Sequence, residues 1–296
     1  MSLKWDAELY HEQSSMQRKI GLMAIERLKP KNQERILDIG CGDASLSMEI
    51  AKKIPDGEVV GVEVSENMVK YARKKLKKAG INNVSILHMN ALNIDFKEEF
   101  DAVFSNIAVH WIKRRRILFS KMFESLKNNG RLVITIMDYS YKGGEMFTEE
   151  TRRVDLTEDP SWKRDDPDRR LRHGGTIFEL FFGIITKEEY IKYFLEAGKL
   201  ANIDHWSTSR TIKSLKRVGF SNFTFEPFII SKTFKDAEEY IRYMQSAGWV
   251  TYLSPYPEGV KKEILEELLM KISERDDLVF DERWKVVFLD AIKKVS

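Results

Sequence analysis

The chain has 296 residues, enough for one large domain or for a core domain with a sizeable insertion. Hydrophobic residues make up 43% and charged residues 32%, and 49 basic against 46 acidic side chains give a formal net charge of +3. Such a balance does not indicate a polyanionic partner, so we do not expect nucleic-acid binding. The single cysteine, Cys41, excludes an intramolecular disulfide and a cysteine-cluster metal site, and we expect no metal.

The sequence shows no pattern of a membrane or secreted protein. No apolar run approaches the ~20 residues that a membrane-spanning helix needs. The first residues, Met1 to Glu12, are polar and charged rather than typical of a secretory signal. A lone cysteine is compatible with a reducing compartment. We therefore expect a cytoplasmic protein with no membrane partner.

Helical and strand patterns alternate along the first half of the chain. A helical pattern runs from Trp5 to Leu28, and further helices are predicted at Ala44–Ile54, Ser65–Lys78 and Trp111–Lys127. Five short apolar segments are typical of buried strands: Arg35–Ile39, Val59–Val64, Val84–His88, Phe100–Ser105 and Arg131–Met137. Apolar strands that alternate with helices indicate a parallel sheet covered on both faces.

The second half of the chain differs in pattern. Residues 139–207 lack strand patterns, and two more strands are predicted at Phe223–Ile230 and Arg283–Ile292, with helices at about 235–247 and 258–273 between them. We predict an α/β, Rossmann-like fold with a seven-stranded, mostly parallel sheet, helices on both faces, a helical lid insertion and helical C-terminal elements. The expected domains are a cofactor-binding core (1–138), a helical lid for the substrate (139–207) and a segment that completes the sheet (208–296).

The loop after the first predicted strand has the features of a nucleotide site. Gly40 and Gly42 allow positive φ angles and close approach of the backbone to a ligand. Ligands of such sheets bind at the carboxyl ends of the strands. Glu63, about 20 residues further on, can accept hydrogen bonds from ribose hydroxyls. A dinucleotide and S-adenosylmethionine both fit these features.

Two details favour S-adenosylmethionine. The G-x-G-x-x-G spacing of dinucleotide sites fails, because Ser45 stands three residues after Gly42. Asp38, just before the loop, would repel a diphosphate but attract a sulfonium and an ammonium group. The alternative is that Asp38 only caps the turn.

Three segments resemble successive motifs of class I S-adenosylmethionine-dependent methyltransferases: Ile36–Gly42, Gly61–Met68 and Phe100–Asn106. The resemblance covers about residues 5–137. It implies that Asp38, Gly40, Cys41 and Gly42 surround the methionine part of the cofactor, Glu63 the ribose, and Val64 and Met68 the adenine. Asn90-Ala91-Leu92 stands where the family usually has an Asp that accepts a bond from the adenine amine. Asn90 departs from that pattern, although its amide oxygen can accept the same bond.

Within this superfamily the chain is most similar to the trans-aconitate and juvenile hormone acid methyltransferase group, through Leu9-Tyr10, Gln17-Arg18 and Ser105–Trp111. Those relatives methylate carboxylates of small molecules. The resemblance implies that Gln17 and Trp111 bind the substrate carboxylate, that Tyr10, Arg18 and Gln17 lie near the cofactor, and that Ser105 and Asn106 face it. His110 could donate a bond or act as a base for another acceptor. Alternatively, His110 and Trp111 only pack at the start of a helix.

These features predict an enzyme that transfers the methyl group of S-adenosyl-L-methionine to a small molecule, with a carboxylic acid as the favoured acceptor. A carboxylate is already ionised at pH 7, so the reaction needs positioning and exclusion of water rather than a base. Three alternatives remain open: a nitrogen, carbon or other oxygen acceptor on a small molecule, RNA as acceptor, or a non-catalytic binding module.

Two further patterns have more than one interpretation. Aromatic side chains of the lid could line an apolar pocket or form the core of the lid itself: Phe147, Trp162, Phe178, Phe181, Phe182, Tyr190, Tyr193 and Phe194. The basic run Lys113–Arg116 could attract an acidic substrate, but a solvated helix face is the favoured interpretation.

Overall fold

The computed structural model describes residues 5–137, 152–155, 174–200, 207–246, 248–276, 278 and 280–294. Eight strands run through these segments: β1 (Arg35–Ile39), β2 (Glu58–Glu63), β3 (Val84–His88), β4 (Phe100–Asn106), β5 (Leu126–Met137), β6 (Arg152–Asp155), β7 (Phe220–Thr233) and β8 (Asp281–Lys293). They form one sheet in the order β3-β2-β1-β4-β5-β8-β7-β6.

The sheet is mostly parallel, as predicted. Strands β1 to β5 pair in parallel, and β6 pairs in parallel with β7. Only β8 runs antiparallel, to β5 on one side and to β7 on the other. All seven predicted strands are present, which confirms the Rossmann-like class. The sequence did not predict β6, because four residues with two arginines have no apolar pattern of their own.

Eleven α-helices lie in the described segments: α1 (Ala7–Gln13), α2 (Ser15–Leu28), α3 (Ser45–Lys53), α4 (Glu66–Ala79), α5 (Arg115–Ser125), α6 (Gly174–Ile185), α7 (Ile191–Leu200), α8 (Thr208–Val218), α9 (Ala237–Ser246), α10 (Val250–Leu253) and α11 (Glu258–Ser273).

Two predicted helices have different boundaries in the structure. The helix predicted from Trp5 to Leu28 is interrupted at Ser14, whose ψ of 31° ends α1 and lets α2 start in a new direction. Asp6 caps α1 by accepting hydrogen bonds from the backbone N–H groups of Glu8 and Leu9. The helix predicted from Trp111 starts at Arg115, because Val109–Trp111 forms a separate 3-10 turn.

Side chains alternate between the two faces of the sheet and are buried on both. In β1, Ile36 packs with the core beneath α2 and α3, whereas Leu37 packs with the core beneath α5 and α8. A third cluster joins α4 to β3 and to Cys41 in the loop after β1. The prediction of helices on both faces is therefore confirmed, and the carboxyl ends of β1, β2 and β4 are left to form a site.

Lid aromatics in the described segments pack against other aromatic rings of the C-terminal half. Phe181 of α6 stacks on Trp249 with ring centroids 4.1 Å apart, and Phe182 contacts Tyr252. Tyr190 and Tyr193 contact Tyr256, and Phe194 contacts Phe182. Phe181 belongs to the same core cluster as Ile36 of β1 and Trp249, and Phe182, Tyr190, Tyr193 and Phe194 pack against that cluster. The described lid aromatics are therefore part of the main core and do not form a separate core of the lid. Phe147, Trp162 and the side chain of Phe178 lie outside the described residues.

Candidate cofactor and acceptor site

The loop between β1 and α3 needs glycine for steric reasons. Gly40 and Gly42 have φ angles of 72° and 55°, in the left-handed region that glycine adopts most readily. A Cβ atom on Gly40 would lie 2.4 Å from the Cβ of Ala108, so no larger residue fits there. Gly42 faces Tyr10, whose ring would be 3.9 Å from an added Cβ atom. The loop therefore runs close beneath α1.

Asp38 is a buried carboxyl group at the end of β1. Its side chain is 2% exposed, and the Ser47 hydroxyl donates a hydrogen bond of 2.6 Å to Asp38 Oδ2. Burial raises the pKa of Asp38 to about 7, because a desolvated carboxylate is disfavoured. The described partner of Asp38 lies in α3 rather than in the loop, which argues against a simple turn cap. A nearby cation would stabilise the ionised form.

Glu63 joins the end of β2 to the glycine loop. Its Oε2 accepts a hydrogen bond of 3.1 Å from the Gly42 N–H, and its Oε1 accepts one of 2.8 Å from the Ser65 N–H. Burial raises the pKa of Glu63, although these backbone donors oppose the shift. Each carboxylate oxygen has a further lone pair, so the group can still accept bonds from hydroxyl groups.

The residues predicted around adenine lie along the next part of the same edge. Val64 is 51% exposed, which is unusual for a large apolar side chain beside a strand end, whereas Met68 is buried. Asn90 Oδ1 accepts a hydrogen bond of 2.9 Å from the Leu92 N–H and starts a short 3-10 turn that includes Ala91. Asn90 thus shapes this turn, and its role toward adenine stays a prediction.

A cleft under α1 brings together eight of the predicted residues. It is lined by Tyr10, Ser14, Gln17, Arg18, Asp38, Gly40, Cys41, Gly42, Asp43, Ser45, Leu46 and Asn106. The predicted residues outside this lining are Glu63, Val64, Met68, Asn90, Ala91, Leu92, Ser105, His110 and Trp111. The cleft volume is only about 40 Å³, which is space for one or two water molecules. The residues predicted to contact the methionine part of the cofactor line this cleft, whereas those predicted to contact the ribose and adenine lie outside it.

Gln17 is fixed at the inner side of this cleft. Its side chain amide oxygen is buried and has no hydrogen-bond partner among the described residues. The Asn106 amide donates a hydrogen bond of 2.9 Å to the Gln17 carbonyl, and the Thr135 hydroxyl donates one of 2.7 Å to Asn106 Oδ1. The first bond is to the backbone carbonyl of Gln17, so the two bonds hold the backbone of α2 against the ends of β4 and β5.

Ser105 and the turn after β4 border the same region. The Ser105 hydroxyl is buried and donates a hydrogen bond of 2.8 Å to the Ile39 carbonyl, which ties β4 to β1. His110 is buried, and the Trp111 ring lies at an edge-to-face angle to Trp5, with centroids 5.6 Å apart. The packing interpretation of His110 and Trp111 thus has structural support, and their catalytic role stays a prediction.

A charged network that the sequence analysis missed fastens α1 to the glycine loop. Asp43 is buried, and its Oδ2 lies 2.6 Å from His11 Nδ1 and 2.7 Å from Lys75 Nζ. Burial opposes ionisation of Asp43, but the hydrogen bond from Lys75 is decisive and lowers its pKa. Sequence carried no signal for this network, because its members are 32 or more positions apart.

The described residues hold no cluster of three or more His, Cys, Asp or Glu side chains that could bind a metal ion. Within the same segments, no helix is both long enough and apolar enough to cross a bilayer. The site consists of a glycine loop, the buried carboxyl groups of Asp38 and Asp43, the partly buried Glu63, the Arg18 side chain and neutral hydrogen-bonding side chains.

A sequence profile for a methyltransferase domain matches residues 30–198, more than half of the chain. The chain belongs to this family. Curated relatives include the juvenile hormone acid O-methyltransferase of Bombyx mori, 30% identical over 143 residues, which are 46% of this chain and 51% of that protein. The demethylmenaquinone methyltransferase of Listeria welshimeri is 35% identical over 110 residues, 36% of this chain and 47% of that protein.

The methyltransferase spans about half the length of these curated relatives. Its fold is similar to that of phosphoethanolamine N-methyltransferase 2 from Haemonchus contortus, solved with S-adenosyl-L-methionine. The TM-score is 0.53 at 18% identity, over 93% of this chain and 52% of that one. At this identity the likeness shows the fold, which agrees with the predicted class.

The methyltransferase uses S-adenosylmethionine, as its family does. The residues of the cleft fit this cofactor, since its two cationic groups suit the buried Asp38 carboxyl and the unpaired amide oxygen of Gln17. When bound, the cofactor supplies an electrophilic methyl group on a sulfonium.

Proposed function

We propose that this methyltransferase transfers the methyl group to the carboxylate of a small organic acid. The observation that carries the proposal is the neutral side chain of Gln17, which is buried in the cleft and whose amide oxygen has no partner among the described residues. The relative from Bombyx mori, named as an acid O-methyltransferase, supports the same class of acceptor.

In the proposed mechanism the protein positions an acceptor that is already reactive. A carboxylate is ionised at pH 7, so no group has to remove a proton from it. We propose that the Gln17 amide and the Trp111 indole donate hydrogen bonds to one carboxylate oxygen, which leaves the other free for in-line attack. Neutral donors are suited to this role, because an ion pair would weaken the nucleophile. Tyr10 and α1 would exclude water from the cleft.

We further propose which residues bind the cofactor: Tyr10, Gln17, Arg18, Asp38, Gly40, Cys41, Gly42, Glu63, Val64, Met68, Asn90, Ala91, Leu92, Ser105 and Asn106. Gln17, His110 and Trp111 are proposed to act on the acceptor. The unpaired cysteine and the balanced charge support a cytoplasmic enzyme that acts on small molecules rather than nucleic acid.

A different acceptor atom is the second candidate. It is favoured by the demethylmenaquinone methyltransferase relative and by the fold neighbour named as an N-methyltransferase. An amine or a hydroxyl group must lose a proton during methylation, and His110, which is buried next to Trp111, is the candidate base.

The test is a screen of organic acids, amines, phenols and RNA for release of S-adenosylhomocysteine, followed by mass spectrometry of the product. A methyl ester is expected, recognisable because mild base hydrolyses it. A base-stable product would replace the carboxylate with a nitrogen, carbon or ether oxygen acceptor. Turnover on RNA alone, or tight cofactor binding without any turnover, would overturn the small-molecule proposal.

A further inference from the structure

We propose that Arg115 is a positioning residue for the acceptor side of the site. It belongs to the basic run Lys113–Arg116, which the sequence analysis assigned to a solvated helix face. Lys113, Arg114 and Arg116 are indeed exposed. Arg115 is only 4% exposed, so the interpretation is wrong for this one member of the run.

The guanidinium of Arg115 reaches back to two consecutive carbonyl groups. Arg115 Nε donates a hydrogen bond of 3.1 Å to the Val109 carbonyl, and Nη2 donates one of 3.2 Å to the His110 carbonyl. Both carbonyls belong to the 3-10 turn Val109–Trp111. The planar fork of an arginine can bind two neighbouring acceptors at a fixed angle, which the single ammonium group of a lysine cannot do.

The position of Arg115 is unfavourable for a cation in two respects. It occupies the buried stripe of α5, together with Leu118, Phe119 and Met122, where desolvation of a charge is costly. It also lies in the first turn of α5, where the positive end of the helix dipole repels a cation. The two hydrogen bonds to consecutive carbonyl groups point to a role that depends on the geometry of the guanidinium.

That role is to set the turn that carries His110 and Trp111. The Trp111 N–H donates to the Ala108 carbonyl at 3.0 Å, and Trp111 then contacts Trp5 ahead of α1. Two bonds from Arg115 to the carbonyls of residues 109 and 110 therefore fix the orientation in which the turn presents both side chains. The inference rests on the proposed function in one respect, because it assumes that the acceptor molecule contacts this turn.

The experiment compares Arg115→Met and Arg115→Lys with Arg116→Met, the exposed neighbour that serves as the matched control. Each full-length variant is measured for melting temperature, affinity for S-adenosylmethionine, and hydrogen exchange at the amides of residues 108–112. Steady-state kinetics use the first acid found in the screen, or the first amine or phenol if no acid is methylated.

For Arg115→Met we expect an unchanged or higher melting temperature and unchanged cofactor affinity. The value of kcat/KM for the acceptor should fall by about 10- to 100-fold, with faster exchange in the turn, because a displaced turn misplaces the acceptor. Arg115→Lys should recover only part of the loss, and Arg116→Met should match the wild type.

Equal acceptor kinetics in Arg115→Met and the wild type would overturn the inference. So would a loss of melting temperature and cofactor affinity in parallel with activity in both Arg115 variants, since that indicates general destabilisation. Methylation of an amine instead of an acid would overturn the proposed function alone, because the effect of Arg115 would still be measured on that amine.

Discussion

The backbone N–H of Gly42 donates a hydrogen bond of 3.1 Å to Glu63 Oε2, across 21 positions of sequence. This bond links the loop after β1 to the carboxyl end of β2, the two segments predicted to contact opposite parts of the cofactor. The Glu63 carboxylate is therefore already oriented by the protein, with further acceptor capacity on each oxygen.

Replacement of Glu63 should weaken cofactor binding. In Glu63→Ala, the ribose loses its acceptor and the Gly42 N–H loses its partner, so we expect the Kd of S-adenosylmethionine to rise by about 10- to 100-fold. The measurement is titration calorimetry with S-adenosylmethionine and S-adenosylhomocysteine. Glu66→Ala, an exposed carboxylate three residues further on, is the control and should bind like the wild type. Unchanged affinity in Glu63→Ala would remove Glu63 from the site.

Cofactor affinity should depend on the ionisation of Asp38. Since burial raises the pKa of Asp38 to about 7, the carboxyl group is largely protonated in the free protein at pH 6. A bound cation favours the carboxylate, so affinity should rise from pH 6 to pH 8 with release of a proton. Calorimetry in buffers of different ionisation enthalpy measures that proton. Asp38→Asn should bind weakly, with a flat pH profile, and a profile like that of the wild type would contradict this role.

Asp38 should also affect the stability of the cofactor-free protein, which should fall with rising pH where cofactor affinity rises. Asp38 has a native pKa of about 7 against its ordinary value of 3.8, so between these values the native state binds more protons than the unfolded state. The free energy of unfolding therefore falls as the pH rises through this window. Asp38→Asn removes this loss, so at pH 8 the variant should be at least as stable as the wild type by denaturant unfolding. A less stable variant would mean that the bond from Ser47 outweighs the burial cost.

The network of His11, Asp43 and Lys75 should control the opening of the cleft. Because Tyr10 of α1 lines the cleft together with the glycine loop, we expect α1 to move when the cofactor enters or leaves. His11→Ala removes the contact of α1 with Asp43, so stopped-flow measurements should show faster association and dissociation of S-adenosylhomocysteine. Glu12→Ala, which breaks an exposed ion pair between α1 and Arg242, is the matched control and should change the rates little. Equal rates in His11→Ala and the wild type would show that α1 opens without breaking this contact.

Gln17 should affect turnover more than cofactor affinity. Its side chain lines the cleft with Asp38 and the glycine loop, and its backbone carbonyl accepts a hydrogen bond from Asn106. In Gln17→Ala, we expect kcat to fall by about 10-fold or more through loss of acceptor orientation, with a smaller change in the Kd of S-adenosylmethionine. Lys19→Ala, exposed on the same helix, should leave both quantities unchanged. A variant with normal kcat would exclude Gln17 from the acceptor site.

Much of the fold could be predicted from local sequence, because a buried parallel strand has to be apolar along its whole length. The segment Arg35–Ile39, buried over four of its five residues, was therefore recognisable with correct boundaries. The glycine loop was recognisable for a related reason, since the backbone at Gly40 and Gly42 admits few other residues. Strand β6 and the interruption of the first predicted helix at Ser14 could not be recognised from the sequence, because pairing and packing with distant segments determine them.

The sequence by itself determined the class of sheet, the glycine loop and the carboxylates Asp38 and Glu63, because each is specified by residues close together in the chain. Only the tertiary structure decided which charges are buried. Arg115 and Arg116 are neighbours of the same type, yet Arg115 is buried and Arg116 is exposed. His11, Asp43 and Lys75 are far apart in sequence, yet they meet over the cofactor loop. Burial and ion pairing depend on which distant segments pack together, and local sequence patterns do not encode that.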